Sequence, residues 1–138
     1  MAHAIFLAEA KKRSLTVEVY SAGVYDFSDA PQLQETSMTC LQYNTPPPKE
    51  SPTWVRQLPL TSINRFLVME QDHADLLMSK YGISPDRISL LGEFDPQQRG
   101  VEIADPFSHG SVVYERSYEL IRDCITGYLD TTDELKSR

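Results

Sequence analysis

Cysteine is scarce in this sequence, with two residues, Cys40 and Cys124, among 138. Two thiols so far apart form neither a disulfide framework nor the paired spacing of a zinc site, and we expect reduced thiols in a cytoplasmic protein. Basic residues are also in the minority, since 13 Lys and Arg face 20 Asp and Glu and the net charge is −7. A nucleic-acid surface needs clustered cations, so this balance argues against a nucleic-acid partner. No apolar run reaches the length of a membrane span, which argues against a membrane partner.

Clustered metal ligands and glycine-rich phosphate cradles are missing as well. The acidic residues are scattered along the chain, without the spacing of a divalent-cation site. The sequence therefore predicts no metal and no cofactor. A length of 138 residues suits one domain with a core of its own, and we expect that domain to span residues 1–138 with a polar tail over 130–138.

The hydrophobic pattern predicts helices and strands in alternation. The predicted helices are 2–13, 33–43, 71–82 and 112–129, and the predicted strands are 15–20, 65–70 and 87–92. The nearly continuous apolar run at 65–70 is typical of a strand that is buried on both faces of a parallel sheet. Asp72 is the expected N-terminal cap of the third helix. Together the elements predict a three-layer α/β fold, a parallel sheet with helices on both faces.

Three loops are candidates for a functional site, because ligands of open α/β sheets bind beyond the carboxyl ends of the strands. These loops are 21–31, 70–73 and 93–110, and they offer acids, a serine and aromatic residues. Asp105 lies in the last of them, within an Asp-Pro pair. On its own this pair indicates either a turn that ends a strand or an acid placed to give up a proton.

Seven short segments, taken in order, resemble the low-molecular-weight protein tyrosine phosphatases. They are "MAHAIF" (1–6), "SAG" (21–23), "RQL" (56–58), "LVMEQDHADLL" (67–77), "LGEFDP" (91–96), "ADPF" (104–107) and "SYELIRDCITGYLD" (117–130). The resemblance covers nearly the whole chain. It implies the phosphotyrosine protein phosphatase I-like fold, and hydrolysis of phosphotyrosine proteins or small aryl phosphates through a cysteinyl-phosphate intermediate.

The resemblance also implies roles for particular residues. Asp105 corresponds to the general acid that protonates the leaving phenolate, and Phe107 to the aromatic cleft wall beside it. The opposite wall corresponds to Phe27 or Tyr25, of which the spacing favours Phe27. Ser21 corresponds to the serine that supports the phosphate loop through a hydrogen bond.

The sequence departs from the family on the N-terminal side of "MAHAIF". In the family a C-x5-R-S-P phosphate loop directly precedes that segment, and residues 1–138 contain no counterpart of its strand, cysteine or arginine. We therefore expect the first central strand to be missing and this polypeptide to be inactive. The unpaired edges of strands 15–20 and 65–70 would then favour self-association.

Several interpretations fit this departure. The chain is either a phosphatase whose full-length form begins upstream of an internal methionine, or a natural non-catalytic module for binding or regulation. Arsenate reduction, which some proteins of this fold perform, is disfavoured because the relay needs further cysteines and loops 70–80 and 93–110 contain none. Cys40 has no arginine nearby in sequence, and Cys124 lies on the apolar stripe of the last helix, so neither is expected to replace the nucleophile.

Overall fold

The computed structural model of the chain describes residues 1–24, 34–45, 53–104 and 110–131. Its helices and strands are α1 (Ala2–Lys12), α2 (Gln34–Gln42), β1 (Phe66–Val68), α3 (Gln71–Tyr81), β2 (Ile88–Leu90) and α4 (Ser111–Thr131). Strands β1 and β2 run parallel, with Phe66 opposite Ile88 and Val68 opposite Leu90. The helices match the predicted helices, and both strands are shorter than the predicted strands because only three residues of each are paired.

Helix α3 ends as predicted but begins differently. Gly82 closes it with a left-handed φ of 67°, a conformation that glycine adopts without strain. At the other end Asp72 is not the cap, because the N-cap residue is Glu70, which makes no side-chain capping bond. The backbone N–H of Gln71 instead donates to the carboxylate of Glu102 at 3.0 Å. The acid that satisfies this helix end thus comes from a segment 31 residues away.

Residues 15–20 do not form a strand, so that prediction was wrong. Their burial alternates as in an extended chain: Leu15, Val17 and Val19 are half-buried, whereas their neighbours at 16, 18 and 20 are exposed. Within the described part of the chain, residues 16–22 make no backbone hydrogen bond. These residues have the alternating burial of a strand, but no described residue pairs with the backbone of residues 16–20.

The core consists of two clusters. The larger one packs α4 against α1 and the turn at 91–94, and its fully buried side chains include Ile5, Tyr118, Ile125 and Leu129. The smaller one surrounds β1 and α3, with Phe66, Val68, Leu77 and Ile83 buried. Burying one such side chain contributes about 1.5–3 kcal/mol, so the predicted stripe of α4 is the main anchor of the fold.

Candidate functional site

A groove with a volume of about 840 Å³ lies between two continuous runs of main chain. One wall is residues 16–24, the other is residues 62–69, and the first turn of α1 closes part of it. We call this cavity the β1 groove. Apolar side chains from the core line it further in, namely Phe6, Leu77, Leu91, Ile125 and Tyr128. Both walls end in segments that the sequence analysis assigned to the site.

Ser21 lies at the rim of the β1 groove and is tied to α1. Its Oγ lies 2.7 Å from Nδ1 of His3, and the two atoms share a hydrogen bond. His3 is half-buried. Since helix N-termini favour negative charge, Ser21 and His3 stand beside a locally electropositive main chain. Sequence reasoning found Ser21 but missed His3, because nothing local signals a contact across 18 positions.

The segment that leads to Asp105 is fixed against the carboxyl end of β1. The backbone N–H of Ile103 donates to the carbonyl oxygen of Met69 at 2.9 Å. Ile103 is also buried, so the chain is held on both its main-chain and side-chain sides two residues before Asp105. Asp105 and Phe107 themselves lie outside the described residues.

The segment that leads to the predicted opposite aromatic wall is anchored in a similar way. The Tyr81 hydroxyl donates to the carbonyl oxygen of Val24 at 3.0 Å, and Nε1 of Trp54 donates to the Tyr81 oxygen at 3.0 Å. Gly23 forms an isolated parallel bridge with Trp54. Tyr25 and Phe27 follow Val24 and lie outside the described residues. The structure therefore describes the residues that immediately precede both predicted aromatic walls.

Neither cysteine thiol is placed for nucleophilic attack. Cys40 and Cys124 are both 0% exposed. Burial raises the pKa of Cys40, and burial together with the nearby charges of Asp95 and Asp123 raises the pKa of Cys124 to about 11. Because the thiolate is the reactive form, we expect both thiols to react slowly near neutral pH. In sequence, neither cysteine is followed by an arginine six positions later.

The described residues contain neither a cluster of metal ligands nor a membrane-spanning helix. In the ranges 1–24, 34–45, 53–104 and 110–131, no three His, Cys, Asp or Glu side chains come close enough to hold a metal ion. Over those same ranges, no helix has both the length and the apolar character that crossing a bilayer requires.

Comparison with known proteins gives a family and a fold. Residues 1–138 match the family described as low molecular weight phosphotyrosine protein phosphatase. A search of curated proteins found no match. Among solved structures, a low molecular weight protein tyrosine phosphatase from T. tengcongensis is 23% identical with a TM-score of 0.84, over 95% of this chain and 88% of that one.

Two further structures are similar. The YwlE arginine phosphatase from Geobacillus stearothermophilus is 22% identical with a TM-score of 0.77, over 94% of this chain and 80% of that one. Vibrio vulnificus Wzb, solved in complex with benzylphosphonate, is 15% identical with a TM-score of 0.80, over 95% of this chain and 88% of that one. At these identities the likenesses establish the fold, and the predicted α/β class is confirmed.

Proposed function

We propose a function from one premise: the chain belongs to the low molecular weight phosphotyrosine protein phosphatase family. Residues 1–138 carry the proton-donating and aromatic side of a site for phosphotyrosine in proteins or for small aryl phosphates. These residues by themselves do not turn such substrates over. The observation that carries this proposal is the complete burial of both thiols, each with a raised pKa.

The chemistry explains why buried thiols decide the matter. Hydrolysis through a cysteinyl-phosphate needs a thiolate that can reach the phosphorus atom. That thiolate is normally stabilised by positive charge or a helix N-terminus, and Cys124 instead has Asp95 and Asp123 nearby. An acid then donates a proton to the leaving oxygen. Residues 1–138 offer the acid without an accessible nucleophile.

The proposed roles rest on the resemblance and on the anchored segments around it. Asp105 is the general acid, and Phe107 is the cleft wall beside it. Phe27, with Tyr25 as the alternative, forms the opposite wall. Ser21 would support a phosphate loop placed before Met1, a role that its exposed position and its bond to His3 favour.

The substrate class is proposed from the family and the aromatic residues. The benzylphosphonate bound to Wzb pairs an aromatic ring with a phosphate-like group, which is the chemistry expected between two aromatic walls. YwlE is named an arginine phosphatase, so the fold alone does not select phosphotyrosine. Two free thiols suit a reducing compartment, and we propose a cytoplasmic location.

A non-catalytic module for phosphate-containing partners is the second candidate, and the same buried thiols favour it. The two candidates differ in what Asp105 does. In a phosphatase site it protonates a leaving group, whereas in a binding module its carboxyl group has no reaction to serve.

The experiment compares two proteins, residues 1–138 and the same chain with a strand and a C-x5-R-S-P loop joined directly before Met1. We expect no cysteine-dependent hydrolysis of p-nitrophenyl phosphate by residues 1–138, and hydrolysis by the extended protein. In the extended protein Asp105→Asn should lower kcat for phenyl phosphate roughly 100-fold or more, because general acids contribute about that much. The loss should be smaller for p-nitrophenyl phosphate, whose leaving group needs no proton.

Asp72→Asn is the matched control, because Asp72 is an exposed carboxylate on α3. It should leave both substrates unaffected. Hydrolysis by residues 1–138 that disappears in Cys40→Ala would contradict the proposed inactivity. An active extended protein in which Asp105→Asn changes neither kcat would show that Asp105 is not the acid. An extended protein without activity would leave the binding module as the better interpretation.

A further inference from the structure

Two cations gather around one aromatic ring near the C-terminus of α3. The guanidinium carbon of Arg56 lies 5.1 Å from the ring centroid of Tyr81, and Nζ of Lys80 lies 5.9 Å from the same centroid. Arg56 also lies over the ring of Trp54, with its guanidinium carbon 5.2 Å from that centroid. Arg56 and Lys80 are exposed, whereas both aromatic residues are half-buried. We call these four residues the Arg56 surface.

Hydrogen bonds fix the two aromatic rings of the Arg56 surface. Nε1 of Trp54 donates to the Tyr81 oxygen at 3.0 Å, and the Tyr81 hydroxyl donates to the carbonyl oxygen of Val24 at 3.0 Å. The main chain beside Trp54 is held as well, because the N–H of Val55 donates to the carbonyl oxygen of Gly23 at 2.9 Å. A cationic side chain that lies on fixed rings has little freedom left to lose when it binds a ligand.

The two cations of the Arg56 surface have no carboxylate partner within the described part of the chain. Over residues 1–24, 34–45, 53–104 and 110–131, neither Arg56 nor Lys80 forms an ion pair or a side-chain hydrogen bond. Lys80 lies in the last turn of α3, where the helix dipole favours a cation, but this does not explain Arg56. Two like charges beside one ring repel each other, and a negative group bound between them would relieve that repulsion.

The chemistry of these side chains suits carboxylates. A guanidinium binds a carboxylate through two parallel N–H···O bonds, and stacking on an aromatic face leaves the N–H donors at its edge available. A neighbouring ammonium group can bind a second carboxylate as a point charge. We propose that the Arg56 surface is a docking site for an acidic segment of a partner protein, in which Arg56 binds one carboxylate and Lys80 another.

The number and place of the charges favour a protein segment over other anionic partners. Nucleic acids and anionic membranes are bound by larger clusters of cations than the two present here, and the net charge of −7 opposes both. A short acidic segment needs only the local cations. Val24, which Tyr81 holds, directly precedes Tyr25, so a segment docked on the Arg56 surface lies beside the predicted aromatic wall.

The test uses residues 1–138 and follows the fluorescence of Trp54, the only tryptophan in the sequence. The probe is a synthetic peptide in which glutamate alternates with serine, and the control peptide has glutamine in place of each glutamate. We expect the glutamate peptide to change the Trp54 emission saturably at concentrations up to about 5 mM, and the glutamine peptide to leave it unchanged. Raising the ionic strength from about 0.02 to 0.2 M should weaken the binding several-fold, because both ion pairs are exposed to solvent.

Arg56→Gln should weaken binding of the glutamate peptide roughly fivefold, and Lys80→Gln roughly two- to fivefold, as expected for exposed ion pairs. Arg56→Lys keeps the charge and should restore part of the loss. Arg122→Gln is the matched control, because Arg122 also lies over a tyrosine ring, that of Tyr43 at 5.7 Å, but on α4. It should leave the affinity unchanged. Circular dichroism checks that each variant folds, and Lys80→Gln decides if Arg56→Gln does not.

Three results would each overturn the proposal. They are equal emission changes with the glutamate and glutamine peptides, an affinity that neither Arg56→Gln nor Lys80→Gln lowers, and no emission change up to about 5 mM peptide. Sodium phosphate at the same ionic strength is the remaining comparison. An equal emission change with phosphate would identify a general anion site and would overturn the assignment to an acidic protein segment.

Discussion

Alkylation of the two thiols is the sharpest test of the chemistry proposed for this chain. A phosphatase nucleophile reacts quickly with iodoacetamide because it is an exposed thiolate. Cys40 and Cys124 have 0% exposure and raised pKa values, so both should react slowly in the folded protein. Unfolding in urea exposes both thiols and returns their pKa values to the ordinary range, so the rate in urea is the reference rate.

The expected size of the effect follows from the pKa of Cys124. With a pKa of about 11, roughly one thiol in a thousand is ionised at about pH 8. A thiol at the ordinary value of 9.0 is ionised roughly one time in ten at that pH. Ionisation alone therefore slows alkylation about 100-fold, and burial adds the cost of opening the core.

Single-thiol proteins assign the rates. Cys40→Ala leaves Cys124 as the only thiol, and Cys124→Ala leaves Cys40. Mass spectrometry at a series of times gives the rate of iodoacetamide addition for each, folded and in urea. A folded-state rate within about tenfold of the unfolded rate would refute the reasoning for that thiol. Fast alkylation of Cys40 in particular would restore this residue as a candidate nucleophile and would contradict the proposed inactivity.

Two further predictions concern stability. Gly127→Ala should lower the free energy of unfolding measured in urea by roughly 1–3 kcal/mol, despite the better helix propensity of alanine, because an added Cβ would clash with the carbonyl oxygen of Phe94. The control is Asp123→Ala, an exposed position on the same helix, which should change the free energy of unfolding by less than about 0.5 kcal/mol. Equal effects of the two substitutions would contradict the packing explanation. The raised pKa of Cys124 contributes stability to the folded state that is fully present below pH 9.0 and should be lost as the pH rises through about 11. The free energy of unfolding should therefore fall less steeply with pH over this range in Cys124→Ala than in the unmodified chain.

The helices were predictable because their signals are local. The apolar stripe of α4 recurs at helical spacing, and the buried residues Ile121, Cys124 and Ile125 lie where that spacing puts them. The C-terminus of α3 was equally clear, because Gly82 suits the left-handed conformation that ends a helix. In each case the structure follows from residues within a few positions of one another.

The predicted strand at 15–20 and the start of α3 depend on distant partners. Alternation correctly predicted which side chains between 15 and 20 face inward, but a strand also needs a neighbour with which to pair, and sequence periodicity contains no information about that neighbour. The capping of α3 by Glu102 and the bond between His3 and Ser21 are likewise long-range contacts. Family resemblance therefore supplies the candidate site residues, whereas these long-range contacts leave no signal in the sequence.

The β1 groove and the candidate site are mechanically connected, because each wall of the groove ends in a site segment. The wall at 16–24 passes through Ser21 and leads to Tyr25, and the wall at 62–69 ends at Met69, whose carbonyl oxygen holds Ile103. The spacing of the two walls therefore sets the distance between Ser21 and the segment before Asp105. Any ligand that orders the β1 groove should therefore also order the site.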